Sequence, residues 1–405
     1  MIKPPVSYAK FTQYQKQIVA FACLILITGI MAMDFINPSL PYILRSLNVD
    51  ESSTKLLIVF YMLGFGISQL FFGTFSDNYG RKKTVLLSYI ISIIGIAWSG
   101  TANSIDMLYA ARFVNGIGSG GELIVAMVII SDVCKESEQL KQAFSYYTMS
   151  SMMSPAIAPI VGGLIQQYSN NWKLCLVALL WVTLISGVIV QKFMPETHTI
   201  PDIKASMINQ IREYLALFKR AKFMLYNFIS AFILVFTISY YSYMPFILVK
   251  QGFSPAENGA LYIVYAVGLA LGSLSLAKYF FTFDSNRTFI ACCTGFILAS
   301  SLFCIYFYFS YSIVVLILFS MTIAFICGIS APLTLSVCMA GFAADTKGAA
   351  SSVQSFTKIF FTALALLFFD FVPLHSMANL LLCYFLLSMV IAGLLIFDKC
   401  LLSKT

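Results

Sequence analysis

Short polar loops divide this chain into runs of about 20 or more apolar residues, and that division constrains the fold more than any single motif. A helix of that length crosses the hydrocarbon core of a bilayer. Only helices and closed barrels can do so, because backbone N–H and C=O groups find no water there. The runs lie near residues 18-44, 55-75, 84-102, 107-131, 143-166 and 173-193, then 224-249, 257-280, 288-309, 312-339, 349-371 and 377-397. Composition agrees: 60% of the 405 residues are apolar and 10% are charged, a balance that no water-soluble core could hide. The expected fold is an all-α membrane protein with twelve transmembrane helices in two six-helix halves. Residues 1-194 form the first half, 195-223 a cytoplasmic linker and 224-405 the second half. Within the linker, residues 203-222 carry apolar and basic side chains at helical spacing, as expected of a segment lying on the membrane surface. Lys3, Lys10 and Lys16 precede the first run, which is too long for a cleaved signal and reads as a retained helix.

Lys and Arg are retained on the cytoplasmic side during insertion. With both termini cytoplasmic, nineteen of the 25 basic residues fall in cytoplasmic segments. Arg45, Lys55, Lys173 and Lys250 fall outside, and Arg112 and Lys358 lie within spans. The reverse orientation would invert that bias. The net charge of +8 comes from short loop clusters, so no nucleic-acid partner is expected. The ten cysteines lie mostly inside apolar blocks without a CxxC, and Cys292 and Cys293 are neighbours, which is neither a disulfide framework nor a zinc site. His198 and His375 are the only histidines and both fall in loops. No metal or cofactor is therefore expected. With no HExxH or GxSxG, neither is an enzyme.

After the second run comes Gly73-x-x-x-Asp77-x-x-Gly80-Arg81-Lys82-Lys83. The glycines permit a tight reversal, Asp77 can favour a helix N-terminus, and the basic trio marks the cytoplasmic side. This pattern resembles the loop between helices 2 and 3 of the major facilitator superfamily. There the aspartate meets the N-terminus of helix 11 and locks the outward-open state, which implies a contact between Asp77 and the region of Gly348. Asn78 stands where the family usually has a basic residue. The fourth span reads Leu108-x-x-x-Arg112-x-x-Asn115-Gly116-x-Gly118, similar to a family motif whose intramembrane arginine is linked to proton transfer, with Asn115 in place of glutamine. Asp132, at the cytoplasmic end of the same span, also fits the family. The fifth carries Pro155-x-x-Ala158-Pro159-x-x-Gly162-Gly163, which resembles the family's antiporter motif. Its prolines kink the helix and its paired glycines let a neighbour approach. Met194-Pro195-Glu196-Thr197 resembles the end of the first half in drug exporters. Asp34-x-x-x-Pro38-x-x-Pro41, Pro245-Phe246 and Gly348-Ala-Ala-Ser351 add a likeness to the Bcr/CflA branch of bacterial drug:proton antiporters. Residues 272-287 form a worn copy of the 73-83 loop, and topology favours an ancient internal duplication more than residue matching does.

Asp34, Arg112, Glu122 and Lys358 are ionisable residues within predicted spans, and intramembrane charge marks a functional path by default. Asp34 and Glu122 are the candidate proton carriers and Arg112 the group that tunes them. Asp34 reads equally as a partly hydrated structural residue near the external end of its span. Glu122 stands ten residues from Arg112, too far along and around the helix to pair with it. It is a proton or cation site, or the partner of a base on another helix. Lys358 could be that base, an anchor for an anionic substrate, or a gating residue. The cluster Tyr240-Tyr241-Ser242-Tyr243 suits either an aromatic-lined cavity or the membrane interface.

The resemblance implies a monomeric proton-coupled antiporter of a bacterial cytoplasmic membrane. It would export small amphipathic compounds by alternating access in exchange for protons, without a cofactor. Export of a self-made metabolite such as a siderophore, and uptake by an importer or uniporter, are the alternatives.

Overall fold

The computed structural model describes residues 11–198, 207–276, 278, 285–310, 312–339, 342, 347–369 and 377–402. Lys3, Lys10, His375, residues 199–206 of the linker and residues 279–284 lie outside them. Among the described residues, twelve helices are long and apolar enough to cross a membrane. Spans 1 to 6 are Gln13–Leu47, Glu51–Tyr79, Arg81–Thr101, Ile105–Val133, Gln142–Ser169 and Trp172–Phe193. Spans 7 to 12 are Ala221–Lys250, Pro255–Ser275, Arg287–Phe309, Ile313–Met339, Gly348–Phe369 and Met377–Asp398. The chain is a multi-pass all-α membrane protein of two helical bundles.

Local chemistry sets where the spans begin and end. Thr12 and Gln15 form a capping box at the start of span 1, and Ser254 and Glu257 form another at span 8. Asp50 and Ser104 cap spans 2 and 4 by accepting backbone N–H groups. Spans 2 and 3 are separated by Gly80 alone, at φ 95°, a conformation that glycine adopts without a Cβ clash. The expected loop of several residues is thus a one-residue reversal.

Inside each half the helices meet backbone to backbone. In the first, a Cβ on Gly64 would lie 2.1 Å from the Phe113 carbonyl oxygen, and one on Gly116 would lie 2.1 Å from that of Tyr61. Spans 2 and 4 are fastened by this reciprocal contact. Spans 8 and 10 repeat it in the second half: a Cβ on Gly272 would lie 2.1 Å from the Phe325 oxygen, and one on Gly328 would lie 2.2 Å from that of Leu269. Because lipid is as apolar as leucine, close van der Waals packing of this kind holds membrane helices together. Recurrence at corresponding spans carries the duplication that residue matching leaves faint.

The halves meet chiefly through span 5 against span 8 and span 2 against span 11. In the linker, the helix Met207–Phe218 packs against spans 7 and 11. Its Tyr214 and Leu217 are buried, and the Tyr214 hydroxyl donates to the Leu70 carbonyl at 3.2 Å. Ile211 and Leu215 remain exposed. The expected amphipathic helix exists, but one of its apolar edges covers protein rather than lipid, with Tyr214 bonded to span 2 and Phe218 edge-on to Phe356 of span 11.

Replacing Gly64 or Gly116 by alanine is expected to lower the thermal unfolding temperature in detergent, at a cost of about 1–3 kcal/mol. Gly100→Ala is the control, since its Cβ would meet nothing within 4 Å and its unfolding temperature should not move.

Candidate functional site

Span 1 is discontinuous. Its first helix ends at Asp34, a short 3-10 turn follows at Asn37–Ser39, and a second helix runs over Leu40–Leu47. Pro38 has no N–H to offer the Asp34 carbonyl, and because the first helix ends at Asp34 the Ala32 carbonyl does not receive the Ile36 N–H that a continued helix would supply. Arg112 of span 4 fills the gap: its Nη1 donates to Ala32 O at 2.8 Å and to Asn115 Oδ1 at 3.0 Å. Asn115 in turn donates to Ser92 Oγ at 3.0 Å. The guanidinium lies over the Tyr61 ring, 4.4 Å from its centroid, and the Tyr61 hydroxyl donates to Gly29 O. Asp34 sits at the break, 3% exposed, with Asn37 Nδ2 at 3.4 Å from its Oδ1. Its charge acts on Arg112 and on Tyr241 and Tyr262 of the second half. The reading of Asp34 as partly hydrated is corrected: packing around the break encloses it.

Glu122 lies deeper within the first half. Thr28 Oγ1 is 3.5 Å from its Oε2, and Thr28 is 3.0 Å from the Tyr89 hydroxyl, which is 2.7 Å from Ser186 Oγ. Its other oxygen is buried without a hydrogen-bond partner. All four of these residues belong to spans 1, 3, 4 and 6. Lys358 stands on span 11, within electrostatic reach of Cys338 of span 10. Among the described residues no ion pair joins Glu122 to Lys358, because Glu122 faces the core of its own bundle rather than the seam between halves.

The antiporter motif lies in that seam. A Cβ on Gly162 would lie 2.0 Å from the Phe35 oxygen at the break of span 1, and one on Gly163 would lie 2.3 Å from the Pro255 oxygen of span 8. Pro155 and Pro159 both lie inside the continuous helix Ser137–Ser169, and the backbone of Pro159 packs on Gly259 of span 8. The tyrosine cluster is buried, so its reading as a membrane-interface belt is corrected. Tyr240 stacks on Tyr265 with centroids 4.5 Å apart and accepts from Ser320 at 3.0 Å. Tyr243 lies beneath Lys55 of span 2, whose Nζ is 3.9 Å from the ring centroid. One turn outward, Lys250 Nζ is 2.5 Å from Glu51 Oε1. The halves are thus closed on the external side.

On the cytoplasmic side, Gly73 and Asp77 line a crevice of about 270 Å³ together with Gly348 and Ser352 of span 11 and Glu213 of the linker helix. The ion pair made by Asp77 is with Arg81, 2.5 Å away, and Arg81 Nε also meets Asp132 at 2.8 Å. The carboxylate at the N-terminus of span 3 is Glu196, not Asp77, which occupies the last turn of span 2. Glu196 accepts from the backbone N–H of Arg81 at 2.8 Å and from that of Lys82 at 3.0 Å. Local sequence could not reveal this cap, since it joins residues more than a hundred positions apart.

A break in span 1 served by an intramembrane arginine, a reversal at Gly80 and a glycine-rich seam occupy one scaffold, and the Major Facilitator Superfamily profile matches residues 22–366. The chain belongs to that superfamily. It is 32% identical to Multidrug resistance protein D of Escherichia coli (strain K12) over 205 residues, 50% of each chain. It is 28% identical to a bicyclomycin resistance protein homolog of Haemophilus influenzae over 215 residues, 51% of this chain and 54% of that one. The chain spans about half the length of these curated relatives. Among solved structures, a D-xylose-proton symporter shares the fold at a TM-score of 0.76 and 14% identity, covering 95% of this chain and 97% of that one. A bacterial homolog of a lysosomal transporter, solved in an inward-facing conformation, aligns at a TM-score of 0.66 and 18% identity, covering 90% and 83%.

Because Glu122 and Lys358 do not meet, Glu122→Gln and Lys358→Met should have additive effects on thermal unfolding in detergent, within about 0.5 kcal/mol. An interaction term well above that would show contact between them in some state of the protein.

Proposed function

We propose that the chain exports small amphipathic compounds across a bacterial cytoplasmic membrane, exchanging them for protons as its two halves alternate access to a central site. The carrying observation is the placement of Asp34. This carboxyl lies at the break of span 1, within electrostatic reach of Arg112 on one side and of second-half tyrosines on the other. Protonation of a group so placed changes the balance between the halves as well as the local charge. In this reading Arg112 tunes Asp34, Glu122 is a second proton carrier and the Pro155 to Gly163 helix flexes at the seam. The Arg81 network with Asp77, Asp132 and Glu196 gates the cytoplasmic side. The resistance named in the two relatives supports a drug-like cargo, and the span 1 and span 5 motifs support placement in the Bcr/CflA branch. The protein acts as a monomer and needs no cofactor.

Everted membrane vesicles energised to an acidic interior test the exchange, with uptake of a fluorescent amphiphile as readout. Arg112→Ala and Asp34→Asn should each lower gradient-driven uptake at least about tenfold while folded protein remains in the membrane. Full uptake in either variant would remove that residue from the coupling. Transport running with the proton gradient would identify an importer.

A further inference from the structure

We propose that the cargo site extends into the second half as an anion-binding pocket between spans 7, 10 and 11, so that the compounds carried bear a negative charge on an apolar body. This rests on the export reading above and assigns its substrate class.

Lys358 is the residue that requires such an occupant. It lies near the middle of the helix Lys347–Phe369 and, among the described residues, its ammonium makes no hydrogen bond or ion pair. A lysine at that depth is costly unless it is paired or faces a water-filled cavity. Its neighbours one turn away fix its direction: Gln354 donates to Ser230 at 3.4 Å and Thr362 donates to the Ala231 carbonyl at 3.0 Å. Both partners belong to span 7, so Lys358 lies on the stripe of span 11 that faces spans 7 and 10. Cys338 of span 10 is close enough to feel its charge, and no carboxylate acts on it.

A second donor belongs to a residue bonded to the same cysteine. The Cys338 thiol donates to Asn227 Oδ1 at 3.2 Å, which occupies the amide oxygen and leaves Asn227 Nδ2 fully buried without a partner. An ammonium within electrostatic reach of the thiol and an unused amide N–H₂ on the residue bonded to it favour an acceptor-rich occupant such as a carboxylate or sulfonate. Cys338 also lines a cavity of about 390 Å³ that opens at the cytoplasmic end. Its other walls include Arg220, Lys222, Phe223, Tyr226 and Phe342, with the Arg220 guanidinium 4.9 Å from the centre of the Phe342 ring. Asp398 is buried behind Tyr226, accepting its hydroxyl at 2.9 Å. Two cations at the mouth and aromatic walls suit an anionic amphiphile arriving from the cytoplasm, with Lys358 within electrostatic reach of the wall residue Cys338. The first-half carboxylates that could draw an organic cation, Asp34 and Glu122, are 3% and 0% exposed in this state.

The test is equilibrium binding to the full chain in phosphatidylcholine nanodiscs, by calorimetry, with naphthoate, naphthamide and naphthylmethylammonium as probes. Naphthoate should bind at least about tenfold more tightly than the other two, the expected worth of a charge-assisted bond to a partly buried cation. Lys358→Met should abolish that preference without weakening naphthamide, and Lys358→Arg should retain it. Equal binding of all three probes, or an undiminished preference in Lys358→Met, would overturn the proposal. Should Lys358→Met fail to fold, Asn227→Ala takes its place and should lower naphthoate affinity alone. A parallel series in phosphatidylglycerol nanodiscs separates cargo from lipid. Unchanged naphthoate affinity supports a cargo site, whereas loss of binding there would identify the occupant as a phospholipid headgroup and overturn the cargo assignment. No gradient is applied, so a failure of proton coupling would leave these measurements intact.

Discussion

The bond from Arg112 to the Ala32 carbonyl, 2.8 Å long, is the interaction on which the rest of the first half depends. A broken helix in a bilayer leaves carbonyls that water cannot serve, and each unserved group costs several kcal/mol. A guanidinium in the same place is costly for the opposite reason. The bond relieves both in part, since Arg112 Nε and Nη2 remain buried without a hydrogen-bond partner. Span 1 can therefore break beside Asp34 because span 4 carries an arginine at that level, and the arginine persists because span 1 breaks. Tyr61 completes the arrangement by lending the cation its ring face and bonding to Gly29 O. Asn115, where the family more often has glutamine, reaches both Arg112 and Ser92 and so ties the arginine to span 3.

Contacts within a half differ in kind from most of those between halves. Spans 2 and 4, and likewise 8 and 10, touch through backbone at glycine, where sliding would drive carbonyls into Cα atoms. The external closure instead uses side chains, a lysine over Tyr243 and a lysine beside Glu51, which can part and be solvated at small cost. The exception is the seam of spans 5 and 8, where Gly163 meets Pro255 and Gly259 meets Pro159. Rigid bundles joined by separable side chains and one close backbone seam have the mechanical character of two bodies rocking about an axis. The antiporter motif lies on that axis.

Much of this was legible in the sequence, for identifiable reasons. Span number and orientation follow from apolar run length and lysine placement, which bilayer physics reads directly. Gly80, Arg112, Pro155 and Gly163 were marked by residue types that are expensive or special in a span. What stayed hidden was pairing. Glu196 reaches the N-terminus of span 3 from the far end of the half, and Lys55, counted as an external loop charge, lies buried at the start of span 2 over a tyrosine of span 7. Both depend on which helices adjoin, and periodicity carries no such information. The expected partnership of Glu122 and Lys358 failed for the same reason: each lacked a partner on its own helix, but the bundle turns them toward different interiors.

That separation bears on which acid couples proton and cargo in the proposed exchange. Glu122 is enclosed by spans 1, 3, 4 and 6, which pack on one another within the first half, so a change in its charge falls on Thr28, Ser92 and Tyr89 of that same bundle. Asp34 is placed differently: its charge acts on Arg112 below and on Tyr241 and Tyr262 across the seam. The Tyr241 hydroxyl is itself buried without a hydrogen-bond partner, so a neighbouring carboxylate and a neighbouring carboxylic acid present it with different environments. An equilibrium between two arrangements of the halves shifts only by the differential free energy that a ligand, here a proton, has for the two. Of the two acids, Asp34 is the one whose charge reaches residues of both halves. In the proposed exchange the conformational work of protonation therefore falls to Asp34, and Glu122 would set the charge state of the bundle that carries it.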